Sequence, residues 1–221
     1  MRIMNRKAIL LLAAGALVLA GCGNDRKAAN EANFKLGLNT HFAKMKECVN
    51  VGSEPNEAGI IQEFRADGRG FGAKKQPTYV TLKNAGLLKT VEYLKEEPTF
   101  SGGTSESIKY VGYKFSDKGL SFLRPPELDA GFFSTGTPKL CYATAQVIDV
   151  TNFTEPSDVM GVKASNVKFT YKLVDVADWI NIPEVDALYK GLADKIAATS
   201  LEDDEDMVLT NNGWMHHSEV K

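Results

Sequence analysis

Between Val162 and Val174 the chain alternates: Val167, Phe169, Tyr171 and Leu173 are apolar or aromatic, and Lys168, Thr170 and Lys172 between them are polar. A period of two sustained over this length fits an extended strand with one buried face and one wet face. Residues 139–151 (KLCYATAQVIDVT) share the same β-branched and aromatic character. The segment between the runs, NFTEPSDVMG at 152–161, reads as a loop. Together they predict a long antiparallel hairpin, which cannot stand without further cover on its apolar face.

The remainder of this half follows in the same terms. Residues 175–182 read as a turn holding Trp179 against the sheet. Pro183 opens a helix expected over 183–198, with Val185, Leu188, Leu192 and Ile196 as its apolar stripe. The acidic run 202–206 reads as a solvated loop, because consecutive carboxylates lack the spacing of a calcium loop. A last strand is expected over 207–210, then a turn at Asn211-Asn212-Gly213 and a frayed tail from His216. Residues 124–138, rich in Pro and Gly, form a connector to what precedes.

In the first half, residues 22–31 are polar and small and read as a tether. Phe34, Leu38, Phe42, Met45 and Val49 then make one helical stripe, with Asn30 or Asn33 as the cap. Residues 50–77 read as a loop with a short helix around 57–64. A helix is expected over 78–88, ending at Gly86, followed by strands at 90–95 and 108–115 and a turn capped by Ser116. This order, with Ala85-Gly86-Leu87-Leu88 before the hairpin and Tyr113, Phe115, Ser116 and Gly119 after it, resembles the winged-helix family across 78–123. The resemblance implies a helical lobe over 32–123. The expected fold is therefore α+β: a helical, winged-helix-like N-terminal lobe, then an antiparallel β-sheet lobe over 139–221 with one packed helix.

The chain's start locates it. Arg2, Arg6 and Lys7 precede an apolar run from Ala8 to Ala20, too short to span a bilayer, and Leu19-Ala20-Gly21-Cys22 closes it. This resembles the lipobox of bacterial lipoproteins, and the whole resembles small proteobacterial envelope lipoproteins. The resemblance implies cleavage after residue 21, acylation of Cys22 and a lasting membrane anchor. Gly23 in place of an acidic residue favours the outer membrane over the inner one. An exported protein does not meet the chromosome, so the winged-helix likeness carries no nucleic-acid partner.

The chain without residues 1–21 holds 23 Lys and Arg against 28 Asp and Glu, a formal charge of −5. Against that balance, residues 65–95 concentrate basic side chains, of which Lys74, Lys75, Lys83 and Lys89 are candidates for a partner-binding face; the alternative is a merely solvated surface. Cys48 and Cys141 are the remaining cysteines, and export to an oxidising compartment favours a disulfide between them over two free thiols. His41 lies seven residues before Cys48, outside helical contact range, so a Cys–His dyad is not expected. His216 and His217 are adjacent and diverge in a strand, a poor metal site without a third placed ligand. The sequence contains no G-x-S-x-G, H-E-x-x-H or P-loop motif. These readings predict no cofactor and a non-enzymatic binding or assembly module that recognises a protein or an anionic envelope component, an inhibitor or immunity protein being one form. The competing expectation is an envelope enzyme acting on peptidoglycan or lipid through carboxylates.

Overall fold

A computed structural model describes residues 25–69, 76–98, 105–124 and 137–220; Cys22, Lys74 and Lys75 lie outside these residues. Asn30 caps helix α1 (Glu31–Lys44), its Oδ1 accepting from the Asn33 N–H at 2.9 Å. The stripe buries Phe34 and Leu38 completely and continues to the half-buried Phe42, whose ring lies 5.7 Å from that of Phe169. Met45 closes the helix, and Val49 belongs to strand β1 (Glu47–Asn50).

The dominant feature is a six-stranded antiparallel sheet. The predicted hairpin forms its centre as β5 (Lys139–Phe153) and β7 (Val162–Val174). β1 flanks β5, and β8 (Leu201–Thr210) and β9 (Gly213–His216) follow β7, giving the order β1-β5-β7-β8-β9. The short β6 (Ser157–Val159) turns back onto β7, so part of the expected 152–161 loop is a strand. The ladder shifts register twice in β5, between Val147 and Asp149 and between Val150 and Asn152. Such irregularities bend a strand and increase its twist. α1 lies along this bent segment, where Asn39 Oδ1 accepts from the Val147 N–H at 2.9 Å and Lys35 Nζ donates to the Ile148 carbonyl at 2.6 Å.

A second sheet, β2-β4-β3, has three strands: β2 (Gln62–Arg65), β3 (Leu88–Pro98) and β4 (Ser105–Phe115). The expected hairpin is present as β3 and β4, and Ser116 caps α3 (Asp117–Phe122) by accepting from the Gly119 N–H. α2 (Pro77–Asn84) precedes the hairpin, and Gly86 takes φ +77° just after it.

The α+β expectation, with a helical winged-helix-like lobe, is nonetheless wrong: the chain is mostly β with short helices. Residues around 57–64, expected to hold a short helix, instead end in β2, which extends the hairpin into a sheet. α1, the helix such a lobe would need, places Phe34 against Phe153 and Trp214 of the large sheet, with ring centroids 4.9 and 4.8 Å away. The single helix expected over 183–198 is also broken. α4 (Pro183–Leu188) and α5 (Leu192–Ala197) are separated at Gly191, whose φ of +82° no right-handed helix accommodates.

Trp179 sits in the expected turn, a 3-10 turn (Asp178–Asn181), and is buried; its ring meets Phe122 of α3. One apolar cluster joins α1, α2, the hairpin and the large sheet, from Phe34 and Leu38 through Leu82, Leu87 and Tyr113 to Val167, Phe169 and Trp214.

Candidate functional site

A buried cluster of ionisable side chains lies where α1 runs beside β9. The acidic segment that read as a loop is in fact part of β8. Its alternation sends Glu202, Asp204 and Asp206 to the face where Asn166 donates to Asp204 and Asp206, at 2.9 and 3.1 Å. Glu205 points the other way, towards His216. His216 is not in a frayed tail either: it is the last residue of β9, buried and paired opposite Met207.

α1 approaches β9 closely because position 37 is glycine. A Cβ there would stand 2.5 Å from the Trp214 carbonyl oxygen and 2.6 Å from Met207 Cε. One turn further along α1, the His41 ring stacks on the His216 ring with centroids 3.8 Å apart.

Each histidine has its own carboxylate. The His41 Nδ1–H donates to Glu219 at 3.1 Å, and Lys44 Nζ donates to the other oxygen of Glu219 at 2.7 Å. His216 Nδ1 accepts from the Ser218 N–H at 3.2 Å and lies 2.7 Å from Ser218 Oγ. Those bonds place the neutral ring's proton on Nε2, from which it is donated to Glu205 at 2.9 Å. Burial, reinforced by the neighbouring His216, lowers the His41 pKa below 6.5. The hydrogen bond from His216 holds Glu205 below its ordinary value. For Glu219, burial acts upward, but the bonds from Lys44 and His41 outweigh it and the carboxyl is lowered.

Beside this array a groove of about 360 Å³ opens along α1. Arg26 stands near one end and Lys44 with Glu219 near the other, and Leu36, Thr40 and Trp214 contribute to its walls. The segment read as a tether is docked here from Asp25 on. Asn33 Nδ2 donates to the Asp25 and Ala28 carbonyls at 2.8 Å, and Trp214 Nε1 donates to those of Lys27 and Ala28 at 3.2 Å.

Glu205, His216 and His217 bring three ligand atoms within 4.8 Å of one another. Tetrahedral zinc, with bonds of about 2.1 Å, needs its donors roughly 3.4 Å apart. His216 would also have to give up its Nε2 proton while a backbone N–H occupies Nδ1. As arranged, the set fits a proton between His216 and Glu205 better than an ion.

The sequence-derived candidates fall elsewhere. Cys48 and Cys141 face each other across β1 and β5 with their sulfurs 2.08 Å apart. Lys83 is exposed on α2. Lys89 is exposed on β3, its Nζ 3.9 Å from Asp117. Other cations of that stretch are engaged: Arg65 with Asp67 and Glu97, and Lys95 with Glu63. The structure thus brings neither Lys83 nor Lys89 into the histidine site. Sequence reasoning missed His41, Glu205 and Glu219; the available signal was the helical spacing of Gly37 and His41 on the face of α1 that also carries Phe34.

Compared with known protein families, with curated proteins and with solved structures, the chain matches none.

Proposed function

We propose that the protein is a lipid-anchored, non-enzymatic binding or assembly module of the bacterial envelope, held at the outer membrane, that receives a protein partner in the groove between α1 and β9. The observation that carries this reading is the groove itself. Leu36 and Thr40 are exposed along one rim, and the charged ends, Arg26 and Lys44 with Glu219, can fix the register of an entering segment. The motif at 19–22 supplies the anchor, and Arg26 follows Cys22 by only four residues, so the groove starts close to the membrane. No described helix is long and apolar enough to cross a membrane; the proposed attachment is through lipid.

Two measurements test the two halves of the proposal. Intact mass of the envelope form is expected to show cleavage before Cys22 and added acyl chains, and Cys22→Ala is expected to leave the membrane fraction. A Cys22→Ala protein that still sediments with membranes after cleavage would refute the anchor. Leu36→Glu with Thr40→Arg is expected to abolish partner capture with the melting curve preserved; unchanged capture would refute the groove.

A second reading has one observation in its favour. Ser218, His216 and Glu205 form a hydrogen-bonded chain with the connectivity of nucleophile, base and carboxylate. A fluorophosphonate adduct on Ser218, lost in His216→Asn, would support hydrolysis. An unlabelled Ser218 removes that reading.

A further inference from the structure

The tip of the β6–β7 hairpin presents apolar side chains for which the fold has no internal use. Val159 pairs with Val162, and Met160-Gly161 form the two-residue connection. Met160 is fully exposed, and Val159 and Val162 are 50% and 40% exposed. The backbone makes Met160 more unusual still. Its φ is +52°, followed by +85° at Gly161, the left-handed pair of a tight hairpin turn. Asn or Asp is the ordinary first residue of such a turn, because a short polar side chain tolerates the left-handed region. A long apolar side chain there gains nothing from packing and is conformationally unfavourable.

The position of this tip gives it an occupant. Val162, Val208 and Val220 share a shallow concavity with Lys27 and Asn211. Lys27 belongs to the docked turn at the start of the described chain, five residues after Cys22. Two residues, Gly23 and Asn24, separate Cys22 from Asp25, so the three steps reach about 11 Å at most. An acyl chain on Cys22 therefore brings this same end of the molecule to the lipid surface. Lys27 and the exposed Lys163 flank the apolar tip, the arrangement of interfacial membrane contacts, in which cations meet anionic headgroups and apolar groups enter the boundary with the acyl chains.

We propose that the Val159–Val162 tip dips into the phospholipid leaflet that holds the acylated Cys22, fixing the orientation of the domain on the membrane. The proposal rests on the anchor reading above.

The test uses the acylated full-length mature protein in vesicles of phosphatidylethanolamine with a minority of phosphatidylglycerol. Met160→Cys carries a bimane label, and Ser121→Cys carries it in the control. Ser121 lies near Lys44 and Lys46, at the far end of α1, which is about 21 Å long. Intact mass first establishes acylation, so failure of the anchor reading is seen separately. The expected result is a blue-shifted emission at 160 that is quenched by nitroxide-labelled lipid, with the label at 121 remaining aqueous and unquenched. A label at 160 as aqueous as that at 121 in the acylated protein overturns the proposal. So does a blue shift that appears without vesicles and grows with protein concentration, which would mean that a second copy covers the tip. Should Met160→Cys fail to fold, the label moves to Val162→Cys, read with and without Met160→Asn. Asn suits the turn, and loss of the lipid-dependent shift in its presence is expected; an undiminished shift counts against the tip.

Discussion

At the scale of single residues, stability and use pull apart at Met160. An L-residue other than Gly, Asn or Asp in the left-handed region costs about 1–2 kcal/mol. Met160→Asn is therefore expected to raise stability by about 1 kcal/mol, read as an increase in Tm, because Asn tolerates that conformation at lower cost. Gly37 is the converse case. Its missing Cβ lets α1 meet β9, and the atoms it would strike include a backbone oxygen that cannot move aside alone. Gly37→Ala is expected to destabilise by about 1–3 kcal/mol in denaturant titration, the usual cost of overpacking. His41 sets the pH response. Its folded pKa lies below the unfolded value of 6.5, so the unfolded chain takes up the proton first. Stability is full above pH 6.5 and falls as pH drops below it; Glu205 and Glu219, both lowered from 4.5, extend the loss below that value. His41→Gln is expected to remove the upper part of this decline and leave the lower part, as followed by Tm against pH.

Between elements, the decisive links are those that tie α1 and β1 to the large sheet. The Cys48–Cys141 bond joins β1 to β5 across 93 residues of sequence. Replacing the pair by Ala is expected to lower stability by about 4–5 kcal/mol on the chain-entropy account of loop closure. Calorimetry of the pair mutant beside the oxidised protein measures it. Asn39 offers a second link, and Asn39→Ala leaves the Val147 N–H without its acceptor, an expected loss of about 1–3 kcal/mol. These elements also mark where the sequence was legible. The β-branched and aromatic run of β5, the period-two run of β7, the β3–β4 hairpin and the Ser116 cap are local patterns, and each formed where it was read. β2 and the first part of β8 did not read as strands, because their sequences QEFR and LEDDED carry charge where strands are expected to be apolar; only 207–210 of β8 was legible as one. Their strand state comes from pairing with Tyr113 and Val111 in β4 and with Lys168 and Asn166 in β7, contacts that no local window contains. The same reason defeated the winged-helix likeness. A helix–hairpin–cap order is local, whereas the choice of α1 to pack on a sheet whose central strands lie beyond residue 138 is not.

For the molecule as a whole, the candidate site was the least legible part. Its residues come from 26–44, 205 and 213–219, segments that meet only when β9 closes the sheet beside α1. The cysteine pair, by contrast, could be proposed from the export signal alone. The assembled picture has a direction. The start of α1, the Asn211-Asn212 turn and the β6–β7 tip gather near Lys27, and the histidine pair lies further along the groove, away from that end. The central claim is that this groove holds a partner while the lipid holds the domain. In-cell photo-crosslinking from Thr40, with Ser121 as the control position, tests it most directly. The account predicts one reproducible protein adduct from position 40, absent from position 121 and lost with Leu36→Glu. An adduct pattern identical at the two positions, or only lipid and glycan adducts from position 40, would contradict it.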